Sequence, residues 1–321
     1  MSFHDIDVVV PVFNGEKYIA KALQSVQQQT VPVARIIIAD DGSTDGTAQI
    51  IENFRQSDDR VLYLKLTHAG VSATRNQGIR ASTAAYVAFL DADDIWLPEK
   101  LERQLDAFER GGAETGFVHS SYFCINTQGE CLPDQKVVPP KQRGDIFMPL
   151  LLDGYVLSGS ASSVLVRRTV LDKVGYFDER LFYGEDWDLW LRLAQVSKVD
   201  FTSEAVVGIR VHDGSAQRRA RPGRALQFFQ QQLLVYSKWE ALISGDKRFK
   251  ARLRKQAVDA VLPVLTHPAE ALSFYWNLAT SESVLVRSIV RNALTFWLEV
   301  CIRVLRIVWW HAKSKAGLNG E

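Results

Sequence analysis

The chain has 321 residues, with 38 Lys and Arg against 37 Asp and Glu. That length suits one large α/β domain with additional helices, and the balanced charge supplies no basic field, which excludes nucleic acid as a partner. Three cysteines, Cys124, Cys131 and Cys301, are too scattered for a disulfide framework or a zinc site and read as reduced and structural.

The N-terminus runs straight into strand-like Asp5–Pro11 with no basic-then-apolar signal segment, which points to a cytoplasmic location. Ile6–Val10 is a β-branched run, and Glu16–Gln29 carries apolar residues at helical spacing. Arg35–Ala39 predicts a second strand, and the turn and cap formers of Asp40–Gly46 lead into a helix over Thr47–Phe54. Val61–Leu66, a helix over Val71–Ile79 and the strand Tyr86–Leu90 complete the pattern. Alternating strands and helices predict an α/β fold with a mostly parallel central sheet covered on both faces. Ligands of such sheets bind beyond the C-terminal strand ends, where Pro11–Gly15, Asp40–Gly46 and Asp91–Asp94 all fall.

Asp91, Asp93 and Asp94 end the fourth strand, ahead of a helix expected over Leu97–Arg110. Carboxylates crowded at one strand end repel each other unless something positive intervenes. A hard divalent cation that also binds phosphate oxygens meets that need; a solvated turn or helix cap is the alternative. Gly111–Pro149 reads as short strands around a polar loop, Lys136–Gly144. Val164–Arg167 is a strand, Arg168–Val174 and Trp187–Gln195 are helices, and Val206–His212 is a last strand. Beyond Arg224 the pattern is helical.

Together these pieces resemble the family 2 inverting glycosyltransferases. The residues that carry the resemblance are Val8-Val-Val-Pro-Val-Phe-Asn-Gly15, Asp40-Asp-Gly-Ser-Thr-Asp45, Ala73-Thr-Arg-Asn-Gln-Gly78, Leu90-Asp-Ala-Asp-Asp94, Gly175-Tyr-Phe-Asp178, Gly184-Glu-Asp-Trp-Asp-Leu-Trp-Leu-Arg192 and Arg210-Val-His212. Each motif is weak alone; their order over residues 5–215 is specific. The resemblance implies the GT-A nucleotide-sugar-binding fold, with a nucleotide-binding half at 1–110, an acceptor-binding half at 111–222 and a helical region at 223–321.

The resemblance also implies a site. Pro11, Phe13, Asn14, Glu16, Asp40, Asp41, Arg75 and Asp91 would bind the nucleotide sugar, with Phe13 flanking the base, Asp40 accepting from it and Arg75 forking to phosphate or base. Asp93, with Asp91 and His212, would hold Mg²⁺ or Mn²⁺. Asp186 would be the base that accepts the acceptor's proton, with Glu185 beside it. The donor would be a nucleoside diphosphate sugar, UDP favoured with dTDP and GDP as alternatives, and the acceptor a glycan or a lipid-linked molecule. The pattern around His119-Ser-Ser-Tyr-Phe123 lacks the acidic residue many relatives carry there.

No Gly-x-x-x-x-Gly-Lys-Ser/Thr loop is present, against a P-loop phosphotransferase. No Gln-x-x-Arg-Trp sequence is present, against a processive polymer exporter, so addition of one sugar is expected. The alternatives are a sugar-1-phosphate nucleotidyltransferase, whose Gly-rich triphosphate loop is missing, and a non-catalytic membrane-associated scaffold. Val284–Trp310 predicts a basic amphipathic helix. Its charged residues Arg287, Arg291, Glu299, Arg303 and Arg306 fall within an arc of about 160° at roughly 100° per residue. Such a helix suits either the cytoplasmic face of a membrane or a homo-oligomer contact.

Overall fold

The β-branched runs become the centre of an eight-stranded sheet in the computed structural model, which describes residues 5–135, 139–154, 157, 160–212, 224–265, 268–281, 283–290 and 296–304. In chain order the strands are β1 (Ile6–Val12), β2 (Arg35–Asp40), β3 (Val61–Lys65), β4 (Tyr86–Phe89), β5 (Ile95–Trp96), β6 (Thr115–Ile125), β7 (Val164–Arg167) and β8 (Lys198–Arg210). Their order across the sheet is β3-β2-β1-β4-β7-β6-β8-β5. The first four are parallel, β7 runs antiparallel to both β4 and β6, and β6 pairs parallel with β8. The sheet is α/β and largely parallel, as expected.

Helices α1 (Ile19–Gln27), α2 (Thr47–Ser57), α3 (Val71–Ala81) and α4 (Lys100–Gly111) connect the first strands, and α5 (Phe147–Asp153), α6 (Arg168–Val174) and α7 (Glu185–Val196) accompany the later ones. Every residue of β1 is buried, and Ile36, Ile37 and Ile38 of β2 are wholly so, because both faces of these strands are covered. Asp7 of β1 is buried there as well, accepting from Arg35 at 2.7 Å and from the Thr83 N–H at 3.1 Å. Gly78 lets α3 lie close against β1, since a Cβ there would stand 2.4 Å from Val9 Cγ1.

Several expected boundaries move. The short strands expected in 111–149 are a single eleven-residue strand, β6. The last strand begins at Lys198 and ends at Arg210, because β6 supplies a parallel partner along its whole length, and charges on it are paired: Asp200 with Arg110 at 3.0 Å and Lys198 with Glu114 at 2.7 Å. Helix α4 starts at Lys100, since Ile95 and Trp96 are taken up as a strand against β8. Of the polar loop Lys136–Gly144, residues 136–138 lie outside the described residues. Cys124 is buried, whereas Cys131 and Cys301 are exposed, and all three are free thiols.

Contacts divide the chain into two compact units, Met1–Arg219 and Ala220–Glu321. The second contains α8 (Arg224–Ser237), α9 (Glu240–Ile243), α10 (Lys247–Val261), α11 (Pro268–Ala279), α12 (Val284–Ile289) and a further helical stretch at 296–304. The continuous amphipathic helix expected over Val284–Trp310 is corrected here. Helix α12 ends where Val290 leaves helical geometry (φ −115°, ψ 17°). Ile289, Val290, Phe296 and Val300, which fall opposite the charged arc of that expected helix, are buried. Arg303 pairs with Asp259 at 3.2 Å and Glu299 with Arg254 at 3.0 Å. Arg291, Arg306, Ile307, Val308, Trp309 and Trp310 lie outside the described residues. Among the described residues no helix is long and apolar enough to cross a membrane.

Lys100, at the start of α4, is wholly buried, with Nζ 3.7 Å from the Trp96 ring centroid and no hydrogen-bond partner. Burial holds this amine well below its ordinary range. Lys100→Met keeps the aliphatic stem and removes the buried polar head, so it raises unfolding free energy by on the order of 1 kcal/mol or more in urea melts. The amine binds fewer protons folded than unfolded, so wild-type stability recovers as pH rises from the lowered folded value toward the unfolded value of about 10.4. The advantage of Lys100→Met therefore shrinks over that window.

Candidate active site

The loops after β1, β2 and β4 meet at one edge of the sheet. Asn14 takes a left-handed conformation (φ 52°) that short polar side chains tolerate. Its N–H donates to Ser43 Oγ at 2.9 Å and its Oδ1 accepts from the Thr44 N–H at 2.8 Å. Gly15 N–H donates to Thr47 Oγ1, and Glu16 Oε2 accepts from the Gly46 N–H, both at 2.8 Å. Asn14 and Glu16 thus lace the first loop to the second. Pro11 is buried in β1, opposite Ala39.

Asp40, expected to accept from the base, ends β2. It is wholly buried, with Oδ1 accepting from the Ser43 N–H at 2.9 Å and Oδ2 from the Tyr63 hydroxyl at 2.7 Å. Two internal donors thus hold the Asp40 carboxylate against the loop. Asp41 is buried too. Its two oxygens accept from the Ala69 N–H at 2.8 Å and the Gly70 N–H at 3.0 Å, and His68 Nδ1 lies 2.8 Å from Oδ2. The exposed ring of Phe13 stacks on His68, with centroids 4.4 Å apart.

The three strand-end carboxylates have three different environments. Asp94 is buried and accepts from Ser162 Oγ at 2.7 Å and the Arg210 N–H at 2.9 Å; burial and its acidic neighbours push its carboxyl well above the usual range. Asp93 keeps about a third of its side chain exposed and meets His212 Nε2 at 3.0 Å. Burial and the Asp91 charge raise its pKa, and His212 counters them. Asp91 accepts from Arg75 Nη2 at 2.6 Å, while its N–H donates to Ser162 Oγ at 3.0 Å.

Arg75, expected to fork toward phosphate or base, is buried and forks between Asp91 at 2.6 Å and Glu185 at 2.9 Å, because α3 carries it between the two carboxylates. The same helix stitches the segment before α7 in place. Ser72 Oγ donates to the Leu181 carbonyl at 3.0 Å, and Asn76 exchanges bonds of 2.9 Å with the Phe177 backbone. Arg192 of α7, paired with buried Asp188, donates to the carbonyls of Val174, Gly175 and Tyr176. Gly184 then turns left-handed (φ 75°), and Glu185 and Asp186 open α7. Asp186 accepts from the Trp187 N–H at 2.7 Å. Burial, then the Glu185 charge, pushes its carboxyl up to about 7, with Arg75 pulling the other way.

Among the described residues no three His, Cys, Asp or Glu side chains group around a common point. Asp93 and His212 do form a carboxylate–imidazole pair at the edge where the loops meet, a donor set that suits Mn²⁺ or Mg²⁺. Asp91 is turned instead to Arg75.

A family model described as glycosyl transferase family 2 matches residues 7–175, more than half of the chain. The chain belongs to that family. An uncharacterised glycosyltransferase of Rickettsia typhi is 29% identical over 255 residues, covering 78% of this chain and 73% of its own. In similar relatives from Rickettsia prowazekii and Rickettsia conorii the match spans 64% and 35% of their length. The fold resembles that of residues 1–349 of S. aureus TarS in complex with UDP-GlcNAc (TM-score 0.60, 18% identity, 89% of this chain and 79% of that one). It also resembles the mannosyltransferase PcManGT from Pyrobaculum calidifontis in complex with GDP-Man and Mn²⁺ (TM-score 0.55, 15% identity, 92% and 87%). This family 2 glycosyltransferase therefore has the GT-A-like fold expected of it.

Sequence reading missed His68, Ser162 and the backbone N–H of Arg210. The polar run Ser160–Ser163 ahead of an apolar strand is the one signal that could have pointed to Ser162; nothing local marks a histidine at 68 as Phe13's neighbour. Ser162 both receives the Asp91 N–H and donates to Asp94. Ser162→Ala removes the shortest donor to buried Asp94 and the acceptor of the Asp91 N–H, so it lowers unfolding free energy by about 1–3 kcal/mol in urea titration.

Proposed function

We propose that this family 2 glycosyltransferase transfers one sugar, with inversion at the anomeric carbon, from a nucleoside diphosphate sugar to a hydroxyl of a glycan or lipid-linked acceptor. The observation that carries the reading is Asp186. It is a carboxyl raised to about 7 and held at a helix start beside Glu185. Through Glu185 and Arg75 it is linked to the strand-end carboxylate Asp91. A general base works best when its pKa lies near the working pH. The acceptor oxygen attacks the anomeric carbon from the face opposite the diphosphate, and its proton passes to Asp186. The bond from that carbon to the diphosphate oxygen breaks, and the nucleoside diphosphate leaves.

The donor reading is supported by the relatives of the same fold that bind UDP-GlcNAc and GDP-Man. Phe13, backed by His68, offers a ring face for the base, and Asp91 is placed for a donor hydroxyl. Pro11, Asn14, Glu16, Asp40 and Asp41 shape and brace the loops around it. Asp93 and His212 would hold Mn²⁺ or Mg²⁺, which when bound neutralises charge growing on the leaving diphosphate. Glu185, tied to Arg75, keeps its charge close to Asp186 and so sustains its raised pKa.

Thermal-shift titration with UDP, dTDP and GDP in the presence of Mn²⁺ identifies the base, since ligand binding to the folded state raises its stability. With the matching sugar donor, Asp186→Asn keeps donor affinity while nucleoside diphosphate release falls by on the order of a hundredfold or more. In the wild type, release declines as pH drops below about 7, because the protonated acid cannot accept a proton. Loss of donor affinity in Asp186→Asn, with turnover retained, would move Asp186 to donor binding and place the base elsewhere.

A further inference from the structure

Arg75 touches carboxylates on both sides of the site. Nη2 lies 2.6 Å from Asp91, at the end of β4, and Nη1 lies 2.9 Å from Glu185, at the start of α7. The guanidinium is closed in. It is 4% exposed, the Phe177 ring centroid lies 5.2 Å from its central carbon, and Nε is buried without a partner. A buried cation that water cannot reach must be answered by the carboxylates in contact with it. What one carboxylate gives up, the other must supply.

We propose that Arg75 is a positioning residue that passes the occupancy of the donor side of the site to the segment bearing Glu185 and Asp186. A hydroxyl or cation arriving with the nucleotide draws on the Asp91 oxygens and loosens their hold on Nη2. The charge then falls more fully on Glu185, which is drawn tighter at Nη1. The segment is primed for this, because Ser72 and Asn76 of the same helix fix its start at Leu181 and Phe177. Past Leu181 the chain runs through left-handed Gly184 (φ 75°) to Glu185 and Asp186. Donor binding thereby orders the carboxylates on the acceptor side before an acceptor arrives. The coupling rests on the contacts of Arg75; its catalytic consequence rests on Asp186 being the base.

Hydrogen–deuterium exchange on the full chain, with and without UDP–Mn²⁺ and GDP–Mn²⁺, tests this. In the wild type, the nucleotide that binds slows exchange both in the peptide containing Asp91 and in the peptide spanning 184–188. Arg75→Lys keeps the charge and loses the fork, so it retains nucleotide binding within about tenfold and the response around Asp91. Its 184–188 response falls to half or less. Glu185→Gln, which leaves Arg75 on Asp91, gives the same selective loss and decides the matter alone if Arg75→Lys does not fold. A residue serving structure only would change exchange in the free protein and leave the nucleotide-induced difference intact; that result overturns the proposal. So does a wild type whose 184–188 segment responds to neither nucleotide. Asp186→Asn separates the two readings. If it releases nucleoside diphosphate at the wild-type rate while the Arg75-dependent response persists, the base assignment fails and the coupling stands.

Discussion

Mutual repulsion among Asp91, Asp93 and Asp94 is the constraint around which the first unit is arranged. Three carboxylates in four residues at a buried strand end cost several kcal/mol if each stays charged and unanswered. Each is answered from a different direction: Asp91 by an arginine on α3, Asp93 by His212 beyond β8, and Asp94 by Ser162 and a backbone N–H of β8. The answering groups come from segments far apart in sequence, so the strand end forms only when the sheet has closed from β1 to β8.

That dependence explains which parts could be read in advance. Strands β1 to β4 and their helices announce themselves through local periodicity, because each is buried on a regular face. The convergence of Pro11–Gly15, Asp40–Gly46 and Asp91–Asp94 followed from topology alone, since parallel strands put successive loops at one edge. The partner of each side chain did not follow. Asp40 and Asp91 carry the same carboxylate beyond an apolar strand; one faces Tyr63 and is sealed, the other faces Arg75 and keeps a quarter of its side chain exposed. Only the pairing of β3 beside β2, and the reach of Arg75 from α3 to Glu185 of α7, distinguishes them.

The second unit shows a different limit. A helical wheel over 284–310 separates charge from apolar residues correctly, but presumes one straight helix. The chain leaves helical geometry at Val290, and Ile289, Val290, Phe296 and Val300 from the apolar side of the wheel are buried. Among the described residues of this unit the large apolar side chains left exposed are Leu234, Leu242, Leu272, Trp276, Leu298 and Ile302, and only the last two lie within the span of the wheel. Amphipathicity reports that a face is covered, without saying by what.

Gly78 has no functional group, yet it sets the height of Arg75 above the sheet. It lies almost one turn further along α3, where the helix backbone meets Val9 at a distance that admits no Cβ. Any side chain there acts as a shim under the helix. Because Arg75 must meet Asp91 and Glu185 within hydrogen-bond distance at once, a lift of a few tenths of an ångström detunes both contacts in the same direction. The tolerances of this site are therefore set partly by the thickness of an absent methyl group, at a position that a survey of polar residues would pass over.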